Sequence, residues 1–375
     1  MATDNLAVFN LGSLGVNTDA SPLHLEDGEL QSAQNASPDG HGYEGALRKR
    51  SGLVKYDADA AAGSIVGFIG VPLGPGPGSG TADLNTYYVL NTGGTWYTST
   101  NSFSTSTSTS ALAAGKEYVK AAMLNGRLYY LSAAETIRVF DGVQDALFCD
   151  PPAAYPTLDA IAALDGKIYV GARDTTPNSY LLEFDTSGRF RQVGATLASN
   201  YRFSTLAFHN NDVFAVTVKA ASELQVQRIR PAVATTTTAW TVDFTTTALV
   251  PTTGTGISYK GLYYLGVTPS AATAGAVYQR SIAASYTAVD TGTNAAANVT
   301  SLAEFKGTLY AAFGLYDGTN NVIRKTTDGS TWSTAATLGT ETGFGDLYVA
   351  GNKLFLINSD EATVAGYYTL NGTSW

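Results

Sequence analysis

Histidine and cysteine, the side chains most often used as metal ligands, are scarce in this sequence. Its 375 residues include three histidines and one cysteine, and none of them stands at the spacing of a metal site. We expect His209 to be a solvent-exposed turn residue and Cys149 to be a small buried hydrophobic residue that cannot form an intrachain disulfide. The sequence therefore predicts no metal centre.

Sequence motifs for nucleophilic, phosphate or metalloprotease chemistry are also missing. The chain has no Gly-x-Ser-x-Gly elbow, no Gly-Lys-Ser/Thr phosphate loop and no His-Glu-x-x-His. Residues 74–78 are rich in glycine, but two prolines remove amides that a phosphate would need. We predict no catalytic residue and no cofactor.

Carboxylates leave one enzymatic alternative, a glycosidase. Such an enzyme needs two carboxyl groups about 5 to 9.5 Å apart. The candidates are Asp159, Glu304 and Asp346, which lie on or beside predicted inner strands. The favoured interpretation is that they are solvated groups lining a wet channel. Arginines such as Arg173 and Arg202 do not recur at equivalent positions, as a sialidase-like cluster would require.

A repeated hairpin would position these groups. Residues 123–131 give its clearest copy, an apolar strand, the turn Asn125-Gly126 and a second apolar strand. Later copies begin their second strands 40 to 49 residues apart, at Ile168, Val213, Leu262, Leu309 and Leu354. A strand-based period of this length is typical of four-stranded propeller blades. A further copy at residues 85–90 brings the number to seven.

We therefore predict an all-β fold, a seven-bladed β-propeller over residues 51–375 with an N-terminal assembly arm over residues 1–50. The predicted blades span about 64–110, 118–150, 158–197, 203–247, 256–290, 297–338 and 344–375. The last blade lacks an outer strand, which would leave an open sheet edge. We expect the N-terminal segment 52–56 to supply that strand, so that Leu53, Val54 and Tyr56 close the ring near Trp375.

The other tryptophans have an expected role in packing the blades. Trp96, Trp240 and Trp332 each lie late in a repeat, and Asp328-Gly329 forms a turn just before Trp332. This turn resembles the Asp-box hairpin of sialidases and many other propellers. The resemblance implies a structural role, in which the carboxylate caps its own turn and the indole packs between sheets.

Composition limits the classes of function. The formal net charge of −9 opposes a role in coating nucleic acid, although an acidic surface is compatible with a conduit through which DNA slides. No apolar run is long enough for a bilayer span, and the first residues do not form a secretory signal. We expect a protein with no membrane span.

The N-terminal arm carries the family resemblance. Its segments 15–18, 25–30, 33–35 and 45–53 follow one another as in tailed-bacteriophage virion proteins. The order is similar to that of the nozzle-type tail tubular proteins of short-tailed phages, although Ser51 stands where those arms usually have proline. The candidate assembly residues are Asp27, Glu29, Asn35, Leu47, Arg48, Lys49 and Arg50.

This resemblance implies a structural component of the tail nozzle or head–tail assembly. It implies a homo-oligomeric ring, a hexamer by analogy, with portal, adaptor or tail-tube proteins as neighbours and DNA passing without specific binding. The expected location is the virion, assembled in the cytoplasm of a bacterial host. The alternatives are a receptor- or glycan-binding tail propeller and the glycosidase, and residues 48–50 could instead be an ordinary solvated charge run.

Overall fold

The computed structural model describes the chain mainly from residue 118 onward. Between 118 and 357 it omits 126, 133–135, 141–144, 151–152, 177, 199–200, 220–222, 247–250, 270–273, 339–345 and 351–352. Outside that range it describes the strand segments 36–38, 47–49, 65–72, 85–91, 95–99, 107–111 and 366–369. Regular structure in the described part is β-strand, apart from one 3₁₀ turn at Pro231–Val233.

The chain divides into two units, and the smaller one contains a two-stranded antiparallel sheet. Its strands are β1 (Ala36–Pro38) and β2 (Leu47–Lys49), with Ser37 opposite Arg48. The backbone pairing therefore places two of the three arm cations, Arg48 and Lys49, on a strand.

The larger unit contains the remaining strands, which pair antiparallel in chain order to form successive sheets. Sheet 1 consists of β3 (Ile65–Pro72), β4 (Asn85–Asn91), β5 (Thr95–Ser99) and β6 (Thr107–Ala111). Sheet 2 consists of β7 (Tyr118–Leu124), β8 (Arg127–Ser132), β9 (Ile137–Phe140) and β10 (Asp145–Cys149). Sheet 3 consists of β11 (Thr157–Leu164), β12 (Lys167–Arg173), β13 (Ser179–Phe184) and β14 (Phe190–Leu197).

The next sheets repeat this order. Sheet 4 consists of β15 (Tyr201–His209), β16 (Asp212–Lys219), β17 (Glu223–Ile229) and β18 (Thr241–Thr246). Sheet 5 consists of β19 (Pro251–Tyr259), β20 (Leu262–Pro269), β21 (Ala276–Arg280) and β22 (Tyr286–Thr291). Sheet 6 consists of β23 (Asn298–Phe305), β24 (Thr308–Gly314), β25 (Val322–Thr326) and β26 (Ser333–Thr337). Sheet 7 has three described strands, β27 (Leu347–Ala350), β28 (Lys353–Ile357) and β29 (Gly366–Thr369).

Two-residue turns set the register of the first hairpin in sheets 3 to 6. Asp165-Gly166 and Lys260-Gly261 have positive φ at both positions (49° and 73°, 47° and 76°), as a type I′ turn requires. Asn210-Asn211 adopts the same conformation with φ of 52° and 65°. Asparagine and glycine tolerate this left-handed conformation, so the sequence directly encodes these turns.

The hydrophobic core lies between sheets. Each large cluster of buried side chains draws on two neighbouring sheets, and such clusters link sheets 2 through 7 in order. Tyr263 of sheet 5, for example, stacks on Phe214 of sheet 4 with ring centroids 4.5 Å apart. Sheets 2 to 6 are thus five consecutive four-stranded blades whose packing is described almost throughout.

First strands of successive sheets contact one another, from β3 through β7, β11, β15, β19 and β23 to β27, and β27 contacts β3. These first strands therefore lie side by side about a common axis. The segment predicted to complete sheet 7, with Leu53, Val54 and Tyr56, lies outside the described residues, and so does Trp375.

The turn and packing residues singled out in the sequence lie between sheets. Asp328 Oδ1 accepts hydrogen bonds from the backbone N–H groups of Ser330 (2.8 Å) and Thr331 (2.7 Å). Trp332 packs against the core between sheets 5 and 6. Trp240 packs between sheets 3 and 4, where its Nε1 donates to the Ala195 carbonyl at 2.8 Å. The side chain of Trp96 is outside the described part.

Candidate functional site

A repeated bulge shapes the strands that line the axis. In β7, β11, β15 and β23 the pairing register skips one residue, five positions before the last residue of the strand. The skipped residues are Val119, Asp159, Ser204 and Thr300. A bulge reverses the alternation of side chains beyond it and can turn a polar side chain toward a site. Three of these four bulges hold, or directly precede, a polar group of the cluster described next.

We name the polar group of Lys120, Asp159, Arg173, Arg202, Ser204 and Asp346 the axial cluster. Lys120 follows the bulge of sheet 2 and donates from Nζ to the backbone carbonyl of Ser204 in sheet 4. Ser204 Oγ in turn donates to the carbonyl of Gly254 (3.0 Å) and accepts from its N–H (2.9 Å) in sheet 5. Sheet 3 lies between sheets 2 and 4, so the Lys120 side chain passes over the axial side of sheet 3.

Asp159 is held in a two-pronged ion pair within sheet 3. Arg173 Nε donates to its Oδ2 at 2.7 Å and Arg173 Nη2 to its Oδ1 at 2.9 Å. This planar geometry is the strongest form of a carboxylate–arginine contact. The Asp159 side chain is only 9% exposed, so its carboxylate is committed to Arg173. Asp159 is therefore not a free carboxylate available for catalysis.

Asp346 directly precedes β27 and lies four residues before the end of that strand, as Lys120 does in β7. The two residues thus occupy the same level of the repeat in sheets 7 and 2. Asp346 is an exposed residue, and among the described residues its carboxylate accepts one long hydrogen bond, 3.4 Å, from the Tyr348 hydroxyl. The residue therefore contacts solvent although many protein atoms surround it.

Electrostatics link these groups without direct contact. Burial lowers the pKa of Lys120, while attraction by Asp159 and Asp346 opposes this shift and the charge of Arg202 reinforces it. Burial raises the pKa of Asp346, and the hydrogen bond from Tyr348 and the charge of Lys120 oppose that shift. Both shifts favour the neutral form of each side chain, which is the effect of removing a charge from bulk water.

The three candidate carboxylates identified in the sequence thus lie in different environments. Asp159 and Asp346 both lie near Lys120, whereas Glu304 is exposed and stands one residue before the turn of its hairpin. Three residues of strand, about 10 Å, separate Glu304 from the level of the axial cluster. Glu304 therefore does not share a level of the repeat with Asp159 and Asp346. The sequence analysis did not identify Lys120 and Ser204. Counting back from the end of each first strand aligns Lys120 with Asp346 and Ser204 with Asp159.

The structure also overturns the expectation for His209. Its side chain is 5% exposed, at the end of β15, because Phe214 and Tyr263 pack against it. Its Nδ1 is 2.9 Å from the Ser258 hydroxyl of sheet 5. His209 is therefore an inter-sheet packing residue. Cys149 is half-buried and has no disulfide partner.

The arm residues cannot be placed in a common site. Asp27, Glu29, Asn35 and Arg50 lie outside the described residues, and the backbones of Leu47, Arg48 and Lys49 form β2. In the described ranges no three histidine, cysteine, aspartate or glutamate side chains are grouped to hold a metal ion. Nor does that part of the chain include a helix long and apolar enough to cross a bilayer.

The structural comparisons agree with this architecture. YCF48 bound to D1 peptide aligns with a TM-score of 0.59 at 10% identity, over 86% of this chain and 98% of that one. The chain is a β-propeller. YCF48 from Cyanidioschyzon merolae gives a TM-score of 0.58 at 10% identity, over 85% of this propeller and 98% of that chain. The extracellular domain of BT4673 from B. thetaiotaomicron gives 0.58 at 10% identity, over 85% of this propeller and 39% of that chain.

At these identities the likeness extends to the fold alone. No protein-family model matches the sequence, and no curated protein matches it either.

Proposed function

We propose that this propeller is a bacteriophage virion structural protein, a homo-oligomeric component of the tail nozzle or head–tail tube. The arm supports the proposal, because its segments follow the order found in nozzle-type tail proteins. The pairing of Ala36–Pro38 with Leu47–Lys49 is the structural observation in its favour. It gives the basic part of the arm a strand backbone in a unit separate from the propeller sheets. Cations in such a hairpin suit contact with carboxylates of a neighbouring, acidic copy.

We further propose that the propeller has seven blades and that residues 52–56 complete sheet 7. The cyclic order of contacts among the seven first strands supports the count. The three described strands of sheet 7, against four in each other sheet, support the added strand. A strand with apolar residues such as Leu53 and Val54 would cover the edge of β29, which otherwise presents unpaired backbone groups.

The DNA path of the assembly, in this proposal, runs through the lumen of the ring of copies and outside each propeller axis. Lys120 reaches from sheet 2 past sheet 3 to Ser204, so a side chain crosses part of the space around that axis. The net charge of −9 would let DNA slide along the lumen without binding.

Deletion of residues 1–47 tests the assembly role. The truncated chain keeps every propeller strand and should remain a folded monomer that no longer enters oligomers, measured by analytical ultracentrifugation and by incorporation into particles. Substituting Arg48, Lys49 and Arg50 with glutamine should weaken assembly in the same direction. The matched control replaces three exposed propeller cations, Arg127, Arg189 and Lys306, with glutamine and should assemble normally. Normal assembly of the truncated chain would refute the proposal.

A further inference from the structure

Three arginines meet two carboxylates near the end of sheet 4 that holds its first hairpin turn. Asp212 binds two guanidinium groups at once, because Arg228 Nη1 donates to its Oδ2 at 3.0 Å and Arg230 Nε donates to its Oδ1 at 2.6 Å. Asp243 binds Arg280 and lies 3.5 Å from Arg228 Nε. These five linked groups therefore carry one more positive charge than negative charge.

The strand register holds the two guanidinium groups on one face of sheet 4. Phe214 lies opposite Arg228 in the pairing of β16 with β17. Asp212 and Arg230 each stand two residues closer to the turn. Alternate residues of a strand share a face, so all three charged residues lie on the face that Phe214 packs against sheet 5. The backbone and the shared carboxylate thus hold the two arginines side by side.

The excess positive charge lies at the surface. The side chains of Asp212 and Asp243 are 6% and 1% exposed, and that of Arg280 is 11% exposed. The side chains of Arg228 and Arg230 are 34% and 54% exposed. The carboxylates are therefore buried beneath two guanidinium groups that reach solvent, and the exposed layer of this cluster is cationic.

The two exposed guanidinium groups have donors to spare. Each offers five N–H donors. In the described part of the chain, Arg228 donates one hydrogen bond, to Asp212, and its buried Nε has no hydrogen-bond partner. Arg230 donates to Asp212 and makes a 3.5 Å contact with the Asn210 carbonyl. Most of the Nη donors can therefore serve a bound acceptor.

We propose that Arg228 and Arg230 bind a phosphate group, either free phosphate or the terminal phosphate of a phosphomonoester. The planar guanidinium fork matches the spacing of phosphate oxygens, and the terminal oxygens of a phosphate point in several directions. One phosphate can therefore accept hydrogen bonds from both arginines, whereas a carboxylate has two oxygens in one plane and matches a single fork.

Charge favours a small ligand over a long polyanion. The net charge of −9 repels a polymer such as DNA along its whole length. A small anion interacts mainly with charges within about 10 Å at ordinary ionic strength, where this cluster has its positive excess. The inference concerns the propeller alone and does not depend on the assembly role.

Titration of the full chain with inorganic phosphate and with phosphoserine, followed by phosphorus NMR, tests the site. We expect saturable binding of at least one probe and a loss of affinity of about tenfold in both Arg228→Gln and Arg230→Gln. Each variant leaves the other arginine on Asp212, so the buried carboxylate stays paired. Circular dichroism and thermal unfolding check that both variants fold. Tighter binding of inorganic phosphate would identify a free ion as the ligand, and tighter binding of phosphoserine would identify a monoester.

The matched controls are Arg127→Gln and Arg189→Gln, which remove exposed cations at other turns. Both should bind the probe as the unmodified chain does, and acetate at equal concentration should not displace it. The proposal is overturned if neither phosphate probe binds, if acetate competes as well as phosphate, or if the controls weaken binding as much as the site variants. Unchanged binding in the folded Arg228 and Arg230 variants would also overturn it.

Discussion

Replacing Arg280 with methionine should cost the propeller more stability than any change of a surface cation. Arg280 closes β21 of sheet 5 and reaches across to Asp243 of β18 in sheet 4, where its Nη2 donates to Oδ1 at 2.9 Å. The Asp243 side chain is only 1% exposed and that of Arg280 is 11% exposed. Tyr286 also donates to Asp243, at 2.8 Å. The pair therefore joins two blades through a nearly dry contact.

The expected cost follows from what the substitution leaves behind. Methionine fills much of the arginine's volume but removes the charge, so the buried carboxylate of Asp243 loses its main counter-ion. Breaking a buried pair in this way costs about 3 to 5 kcal/mol. Asp243 keeps the Tyr286 hydroxyl and a 3.5 Å contact with Arg228, which places the cost near the lower end, about 3 kcal/mol. Arg189→Met, at an exposed turn, should change stability by less than about 0.5 kcal/mol.

The pH dependence gives a second, independent check. Burial acts to raise the pKa of Asp243, but the hydrogen bonds from Arg280 and Tyr286 and the charges of Arg280 and Arg228 bring it below the ordinary value. The pair thus stabilises the protein above the unfolded pKa, about 3.9, and this contribution is lost as the pH falls through the folded pKa. Without Arg280, burial should raise the pKa of Asp243. In acid the Asp243 carboxylate is then protonated, so the variant no longer buries an unpaired charge. The difference in stability should be largest at pH 7 and should shrink toward pH 4.

Urea denaturation, followed by tryptophan fluorescence and circular dichroism at pH 7, 5.5 and 4, measures these differences. The double variant Arg280→Met/Asp243→Asn should recover much of the loss, because it no longer buries an unpaired charge. A loss below about 1 kcal/mol at pH 7, or one that does not change with pH, would refute the assignment of a dry inter-blade ion pair.

Three further outcomes follow from other buried groups. Tyr263→Phe should be neutral or slightly stabilising in urea denaturation because the buried Tyr263 hydroxyl has no partner among the described residues, whereas Tyr259→Phe should cost about 1 to 2 kcal/mol because its hydroxyl donates to a backbone carbonyl at 2.7 Å. Burial and the charge of Arg280 lower the pKa of His209, so stability should fall as the pH drops below about 6.5, where only the unfolded chain takes up the proton, and His209→Gln should flatten a thermal-unfolding series from pH 7 to 5. Burial, with the charge of Asp150, raises the pKa of Cys149 to about 12, so a thiol reagent at pH 8 should label the native chain about a thousandfold more slowly than the chain in urea; equal rates would contradict this.

The sequence was sufficient to predict strands, turns and period, because each of these is set by local chemistry. An Asp-Gly pair such as Asp165-Gly166 can adopt two positive φ angles, and this decides where a hairpin turns. Apolar stretches on both sides then decide which segments are buried. Sheets with such hairpins, repeated every forty-odd residues, leave few alternatives to a propeller.

The axial cluster was less predictable, because a bulge changes which side chains face the axis. In a regular strand, alternate residues lie on one face, so Asp159 and a residue four positions later in β11 would share a face. The skipped register at Asp159 breaks this alternation. His209 was misplaced for a different reason. A polar residue beside a turn is usually exposed, but Phe214 and Tyr263 cover it, and Tyr263 belongs to the next blade, about fifty residues away in sequence. Contacts between blades are non-local, and periodicity alone does not reveal them.

Packing and polar chemistry occupy different regions of this propeller, and that separation bears on the proposed assembly role. The walls between sheets are apolar and are crossed by ion pairs such as Arg280–Asp243. The axis holds Lys120 and Asp346, whose hydrogen-bonding capacity the described chain leaves largely unused. The two-pronged ion pair of the axial cluster, Asp159–Arg173, lies within sheet 3 and does not join two sheets. Substitution of Lys120 or Asp346 should therefore leave assembly through the arm unchanged.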